Sequence, residues 1–446
     1  MAGDAKRRLV GLDVMRGITM AVMLVVDATG DAYPSIGHAP WDGLHLADFV
    51  MPYFLLISGI SASISLKVRS GERATTILVR VAWRALRLFL VGLAVQGSLF
   101  HDSQAGPVLA LDLRSLRIMG ILQRIAVVFV IVAAIELYVP ANVRSRSEPL
   151  LRTESAGLGF WLLPATAFRW AVALAVAACG AVLTYALRPP ATWPGCSPAA
   201  ALRGNADPEA LHRMGCSSVG WLDSLILGVD HVYIRGSNQG LPANFGFDPE
   251  GLVTTLSAVF CMFLGLHLGR VWLILAKPRP VISHWLILGA LCAGLGAALS
   301  FGLPFNKRLW SPSYSLFTAG TGTVLYSGLF AACDAAPSSR AAAVFGTALA
   351  PFQWLGSNCI LFFVFSECCG VLSWLLRVVS WGQPASEHNI VHWFHDQFLW
   401  QTCSLGAGCK SGALCGPVEV AYTVVGLVFW VLVCGILHRK QIFWKI

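Results

Sequence analysis

Long apolar runs dominate the chain and restrict what it can fold into. Hydrophobic residues make up 56% of the 446 residues, and charged residues make up only 12%. A soluble globular chain has about 25% charged residues, and a disordered chain has few hydrophobic ones. These proportions exclude disorder and disfavour an ordinary soluble enzyme. Since a bilayer-crossing helix needs about 20 apolar residues, we expect an all-α, polytopic transmembrane bundle forming one domain over residues 1–446.

The apolar runs predict ten membrane spans. They lie at approximately 9–29, 46–66, 75–97, 116–138, 169–187, 252–272, 282–302, 314–333, 351–370 and 418–437. A shorter run at 371–381 predicts an interfacial or re-entrant segment, with an eleventh span as the alternative. The first span carries charges and lacks a small-residue cleavage site, so we expect an uncleaved anchor rather than a signal peptide.

Lysine and arginine in the short loops predict the orientation. With ten spans, most of them fall on one side, which the positive-inside rule assigns to the cytosol together with both termini. The other side carries the loops 30–45, 98–115, 188–250, 303–313 and 382–417. Lys307 and Arg308 run against the rule. This asymmetry explains the net charge of +9 without nucleic-acid binding.

The positions of cysteine and histidine residues indicate whether the chain forms a disulfide or binds a metal. Cys196 and Cys216 lie in the non-cytosolic loop 188–250, where an oxidising compartment would allow a disulfide. A zinc site is the alternative, but no CxxC pair supports it. The histidines at 388, 392 and 395 have a metal-like spacing without an accompanying acidic motif. We therefore predict a Cys196–Cys216 disulfide and no bound metal.

Several polar residues lie inside predicted spans, where they are costly. Asp13 and Arg16 are three residues apart, share a helix face and predict a structural ion pair. Arg124 in the fourth span needs a partner, for which Glu367 in the ninth span is a candidate. Asn358 and Glu367 are also candidates for binding a substrate.

A basic stripe follows one face of the third span. Arg80, Arg84 and Arg87 recur at i, i+4 and i+7. One interpretation is that these side chains extend to lipid phosphates. The other is that they bind the phosphates of an anionic cofactor, with Arg124 as a further candidate contact.

The segment between the first two spans carries the parts of a general base. Its glycines and prolines break any helix, so we expect a compact loop that presents His38 and Trp41. Imidazole titrates near neutral pH, and a carboxylate on one ring nitrogen fixes its tautomer. Asp27 and Asp31 are candidate carboxylates. An ordinary loop histidine is the alternative.

Several blocks occur in the order typical of one family. They are RLVGLDVMRGITMAVMLVVDATG, GHAPWDGLHLADFVMPYFLLISG, GILQRIAV, FDPEGLVTTLSAVFCMFLGLHLG, NKRLWSPSY, GSNCIL and KQIFWKI. Through them nearly the whole chain resembles the heparan-α-glucosaminide N-acetyltransferase family, multispan enzymes that use acetyl-CoA. The resemblance implies that His38 is catalytic, and we take Trp41 and Asp42 of the same motif as candidate substrate contacts.

The resemblance also marks a departure. Animal-type members have Asn where this chain has Asp27, and we expect no counterpart of the luminal segment that precedes their core. Both differences suggest a non-animal-type homologue and leave the acceptor open.

The expected activity is acetyl transfer from cytosolic acetyl-CoA to an amino or hydroxyl group of a luminal sugar such as a terminal glucosamine. His38, oriented by Asp27, would act as base or as acetyl carrier. A transporter of a small anionic solute and a non-catalytic acyl-CoA-binding protein are the alternatives. The family suggests a lysosomal, vacuolar or plasma membrane location and a homodimer as a candidate assembly.

Overall fold

A computed structural model shows how these segments are arranged. It describes residues 9–30, 33–66, 72–96, 100–103, 106–109, 113, 116–138, 164–190, 192–193, 213–235, 246–275, 277–335, 340–367 and 415–444. The predicted segment 371–381, Asp31, Cys196 and the histidines at 388, 392 and 395 lie outside these ranges. The Cys196–Cys216 disulfide therefore stays a prediction.

The described chain is almost entirely helical, which confirms the predicted all-α class. Its helices are α1 (Val10–Thr29), α2 (Val50–Ser65), α3 (Ala74–Gln96), α4 (Ile121–Tyr138), α5 (Pro164–Tyr185), α6 (Ser218–Leu227), α7 (Leu252–Leu275), α8 (Pro278–Leu299), α9 (Pro312–Phe330), α10 (Arg340–Ser357), α11 (Cys359–Glu367) and α12 (Cys415–Arg439). Two small antiparallel sheets pair β1 (Phe100–Ser103) with β2 (Gly106–Leu109), and β3 (Ile234–Arg235) with β4 (Gly246–Phe247).

Each of the ten predicted spans coincides with a helix or a helix pair. Among the described residues, six helices are long and apolar enough to cross a membrane, or seven if the bent pair α10–α11 forms one span. The chain is thus an integral membrane protein. Helices α1 and α3 coincide with predicted spans too, but each carries three charged side chains that lower its apolarity.

The ninth predicted span differs from a single straight helix. Between α10 and α11 the chain bends by 69° at Asn358, within the segment 351–370. The predicted loop 188–250 likewise contains a helix, α6, which is too short to cross a bilayer.

Glycines allow the helices to pack closely. A Cβ atom on Gly59 of α2 would lie 2.0 Å from the carbonyl oxygen of Met262 on α7, and one on Gly265 would lie 2.0 Å from that of Leu56. Transmembrane helices associate through such small residues, since lipid offers no hydrophobic driving force between them. The α2–α7 contact therefore depends on both glycines.

Gly17, the residue after Arg16 on α1, allows an equally close approach. A Cβ on Gly17 would lie 1.8 Å from the carbonyl oxygen of Phe352 on α10. The backbones of α1 and α10 are therefore in direct contact. This contact places Asp13 and Arg16 beside the α10–α11 bend.

The loops at one end of the bundle contact one another. The N–H of Gly43 donates to the carbonyl oxygen of Phe305 at 2.8 Å, and Arg117 pairs with Asp248 at 2.8 Å. Gly43, Phe305 and Asp248 belong to loops that the ten-span prediction puts on one side, and Arg117 lies where the fourth predicted span begins on that side. We call this the His38 end, and the opposite end, where α1 begins, the Arg16 end.

Replacing Gly265 by alanine is expected to destabilise the protein by about 1–3 kcal/mol, because the new methyl group would collide with the backbone of α2. Gly294 on α8 has no atom within 4 Å of its Cβ position, so Gly294→Ala is the matched control and should not lower stability. Thermal unfolding of the purified proteins in detergent measures both. Equal midpoints for the two variants would contradict the packing described.

Candidate functional site

His38 lies on the loop between α1 and α2, opposite a buried carboxylate. Its Nδ1 is 2.9 Å from Oδ1 of Asp48, which lies in the 3₁₀ turn Leu46–Phe49 just before α2. The Asp48 side chain is fully buried, whereas that of His38 is 46% exposed. A carboxylate on Nδ1 holds the proton there and leaves Nε2 as the basic nitrogen, the arrangement of a general base.

Asp48 is held in place by its surroundings. Its Oδ2 accepts the N–H of Ala39 at 3.2 Å and that of His45 at 2.9 Å. Its carbonyl oxygen accepts the hydroxyl proton of Tyr314, on α9, at 2.5 Å. The carboxylate therefore fixes the loop, the start of α2 and the His38 ring relative to one another.

Asp48 was not among the sequence candidates for this role. Asp27 is exposed near the end of α1, and its pairing with His38 stays a prediction. The signal for Asp48 was the loop itself, since helix-breaking residues between His38 and the next span turn the chain back on itself. A carboxylate at the first turn of that span can then reach the ring.

Lys307 approaches the same imidazole. Its Nζ lies 3.1 Å from Nδ1 and 3.0 Å from Nε2 of His38. Burial lowers the pKa of Lys307, while the charges of Glu250 and Asp48 act in the opposite direction. A proton donor therefore lies beside His38, although Lys307 was noted in the sequence only as an exception to the charge rule.

The two other residues of the His38 motif have different surroundings. Asp42 accepts a hydrogen bond from Asn306 Nδ2 at 3.2 Å and lies 3.9 Å from Arg213. The side chains of Asp42 and Arg213 are about half exposed. Trp41 is partly buried against an apolar cluster that includes Phe247. Both lie on the His38 loop, and their contact with a substrate stays a prediction.

Arg124 lies at the His38 end, inside the bundle. It is fully buried, donates to the carbonyl oxygen of Pro249 and to Thr254 at 2.5 Å each, and has its guanidinium 4.7 Å from the ring centre of Trp310. Pro249, Thr254 and Trp310 are therefore the partners that a buried Arg124 requires. These contacts also separate Arg124 from the basic stripe on α3. The side chain of Glu367 is outside the described residues.

An ion cluster joins the loops behind His38. Arg117 binds Asp248 through two hydrogen bonds of 3.0 and 2.8 Å and Glu250 through one of 2.7 Å. Burial alone would raise the pKa of Glu250, but Arg117, Arg124 and Lys307 outweigh it and bring that pKa to about 2. Glu250 therefore stays ionised and supplies a fixed negative charge near Lys307.

Asp223 caps α7, the helix that begins just after Asp248 and Glu250. Its Oδ1 accepts the N–H groups of Leu252 and Val253, at the start of α7. Its Oδ2 is buried and makes no hydrogen bond within the described residues. Burial, with a contribution from Asp248, raises the pKa of Asp223 to about 7.

A cavity of about 590 Å³ occupies the Arg16 end. Its walls come from α1, α2, α3, α4, the α10–α11 bend and the last residues of the chain. The walls are mostly apolar, with Asp13, Arg16 and Arg84 as charged exceptions. Asp13 and Arg16 lie 3.1 Å apart as an ion pair, and Arg16 also contacts Ser61. The structural role expected of the pair stays a prediction.

The basic stripe on α3 is divided by this cavity. Arg84 lines it, whereas Arg80 pairs with Glu72 at 2.8 Å and is 57% exposed. Arg87 is exposed and is not among the lining residues. One of the three arginines of the stripe therefore lies in the cavity wall.

One helix connects the two sites. Phe54 of α2 lines the cavity, and Asp48 precedes it by six residues, about 9 Å along a helix axis. The cavity thus runs along α2 from Ser65 towards the His38–Asp48 pair. An elongated molecule that enters from the Arg16 end would point its far end along α2 towards the His38–Asp48 pair.

Asn358 has a structural contact that the sequence did not indicate. Its Nδ2 donates to the carbonyl oxygen of Ile442 at 3.2 Å, and its Oδ1 accepts the N–H of Trp444 at 3.1 Å. It therefore holds the end of the chain against the α10–α11 bend. Its expected contact with a substrate stays a prediction.

Stability should depend on pH through Asp223. Because its pKa in the folded protein is about 7 and its ordinary value is 3.8, the folded state binds the extra proton between these limits. Stability should then fall as pH rises through this range. Asp223→Asn should reduce the dependence, and Asp230→Asn, at an exposed position nearby, should not. Unfolding midpoints from pH 4.5 to 8 test this, and an unchanged slope in Asp223→Asn would contradict it.

Comparison with known proteins relates the chain to one group of enzymes. The family model "Heparan-alpha-glucosaminide N-acetyltransferase, catalytic" matches residues 8–145, which include the His38 loop and the Asp13–Arg16 pair. The human heparan-alpha-glucosaminide N-acetyltransferase is 28% identical over 98% of the chain, and the mouse protein is 26% identical over 99%. The chain spans 60% and 61% of the length of these relatives. The resemblance found in the motifs is thus confirmed: nearly the whole chain is similar to heparan-α-glucosaminide N-acetyltransferases.

Proposed function

We propose that the protein is a transmembrane acetyltransferase that moves an acetyl group from acetyl-CoA to an amino or hydroxyl group of a sugar, such as a terminal glucosamine. The observation that carries the proposal is the pair of sites along α2, the His38–Asp48 pair at one end and the arginine-containing cavity at the other. The names of the relatives agree with this activity.

The residues of the cavity fit a donor of this kind. Acetyl-CoA supplies an activated acetyl group as a thioester on a long, mainly uncharged arm that carries phosphates at its other end. Arg16 and Arg84 are suited to bind phosphate, since guanidinium groups form charge-assisted hydrogen bonds with it. Apolar residues such as Phe54 would line the arm as the cavity approaches His38.

His38 has the position and the partner of a general base. The amine of an amino sugar is mostly protonated at neutral pH and must lose a proton to react. His38 takes the proton that the attacking amine loses as the new nitrogen–carbon bond replaces the carbon–sulfur bond of the thioester. CoA leaves as the thiolate, and the imidazolium of His38 returns the proton to it. Asp48 orients the ring and stabilises the imidazolium, and Lys307 lies close enough to donate a hydrogen bond to an oxygen at the reacting carbon.

The same proposal sets the orientation. Acetyl-CoA is a cytosolic metabolite, so the Arg16 end faces the cytosol with both termini, and the His38 end faces the lumen or the exterior. This agrees with the lysine and arginine asymmetry of the loops. A lysosomal, vacuolar or plasma membrane and a homodimeric assembly are the location and the oligomer that we propose with it.

His38→Ala is expected to lower acetyl transfer at least about a hundredfold, since general base catalysis contributes about 10²–10⁴-fold. Its affinity for CoA should be retained, because His38 is not part of the cavity wall. Transfer from radiolabelled acetyl-CoA to glucosamine by the purified protein measures the first, and calorimetric titration measures the second. Near-normal turnover of His38→Ala would refute the role of this residue.

The same assay distinguishes the two carboxylates, Asp48 and Asp27, that are candidates for orienting His38. Asp48→Asn should reduce transfer strongly, because an amide can present its N–H₂ to Nδ1 and favour the wrong tautomer. Asp27→Asn should be milder, since it introduces the animal-type amide. A protein that binds CoA but transfers nothing would favour the non-catalytic alternative, whereas flux of a small anion through vesicles would favour the transporter.

A further inference from the structure

The end of the chain folds back onto the bend between α10 and α11. The buried Asn358 binds the carbonyl group of Ile442 and the N–H group of Trp444 through its side-chain amide. Its amide thus pairs with the backbone at the end of the chain in the way that a neighbouring β-strand would. A second link joins Ser357 Oγ to His438 Nδ1 at 3.2 Å. These contacts hold residues 440–444, which we call the C-terminal tail, against the cavity at the Arg16 end.

Two aromatic side chains of the tail form part of the cavity wall. Phe443 and Trp444 line the same space as Arg16 and Arg84. Neither ring belongs to the buried apolar clusters of the described residues, and Trp444 is 41% exposed. Their place in the wall is therefore not explained by packing of the core.

The charges around this part of the cavity are mainly positive. Arg16 and Arg84 lie in the wall, and Arg439 and Lys440 are exposed where α12 ends and the tail begins. Asp13 is the acidic residue in the wall, and it is already paired with Arg16. A planar ring next to several cations suits a ligand that combines an aromatic base with phosphates.

We propose that the C-terminal tail binds the adenine nucleotide part of the donor, with the Trp444 ring stacking on the base and Asn358 as the positioning residue that holds the tail. This rests on the proposed function, because it assumes that acetyl-CoA enters the cavity. The donor site then has two parts. The cavity binds the uncharged arm that carries the thioester, and the C-terminal tail binds the nucleotide.

An aromatic anchor at the membrane interface is the competing explanation. Tryptophan is enriched where lipid meets water, and an anchor of that kind would affect stability without affecting the affinity for CoA. The two explanations therefore differ in a binding measurement that does not depend on turnover.

The test compares CoA with pantetheine, which lacks the nucleotide. Base–aromatic stacking corresponds to about a tenfold change in affinity, so Trp444→Ala should raise the Kd of CoA about tenfold and leave that of pantetheine unchanged. Trp444→Phe should remain within about threefold of the wild type. Ile442→Ala is the matched control, since this side chain is half exposed on the same tail and does not line the cavity. Calorimetric titration in detergent measures the Kd of both ligands for the wild type and the three variants.

Three results would overturn the proposal. They are an unchanged CoA affinity in Trp444→Ala, an equal loss of CoA and pantetheine, and an equal loss in Ile442→Ala. Asn358→Ala should weaken CoA in the same way by releasing the tail, and if it does not fold, Trp444→Ala decides alone. A wild-type protein that binds neither ligand would instead refute the proposed function, so the two failures are distinguishable.

Discussion

The buried carboxylate of Asp48 is the interaction on which the arrangement of the His38 end depends. One side chain accepts two backbone N–H groups of the loop and the ring of His38, and the carbonyl of the same residue binds Tyr314 on α9. An isolated buried carboxylate would be costly, but one that is hydrogen-bonded on both oxygens is not. The cost of burying this charge is offset only when the loop is closed, so folding of the loop also assembles the His38–Asp48 pair.

Other buried charges in the bundle are also paired with groups from distant parts of the chain. Near the Arg16 end, Glu136 on α4 lies 3.1 Å from Arg169 on α5 and also contacts Arg270 on α7. Each of these residues comes from a different helix, so the pairing fixes how the helices are rotated about their axes. Removing one partner of such a cluster leaves a charge in an apolar environment. Charges therefore specify this fold as much as apolar packing does.

The sequence predicted the helices and the local pairs, because both depend on neighbouring residues. Apolar runs set the positions of the helices, and the three-residue spacing of Asp13 and Arg16 set their pairing. What it did not predict were contacts between distant segments. Lys307 reaches His38 across 269 positions, and Arg124 is satisfied by residues about 130 positions away. No local pattern records such pairs, so the partner of Arg124 could not be identified from composition or spacing.

The bend at Asn358 illustrates the same limit and its consequence for function. An apolar segment of about 20 residues predicts a straight span, yet here the helix is interrupted and a side-chain amide binds the tail instead of continuing a helical turn. Interrupted helices occur in membranes where the irregular backbone lines a cavity, since its polar groups would be unsatisfied in lipid. Gly356, Ser357 and Cys359 on either side of the bend do line the cavity. The bend thus helps to form the cavity in which we propose that the donor binds, while hydrogen bonds to Asp48 hold the loop at the His38 end.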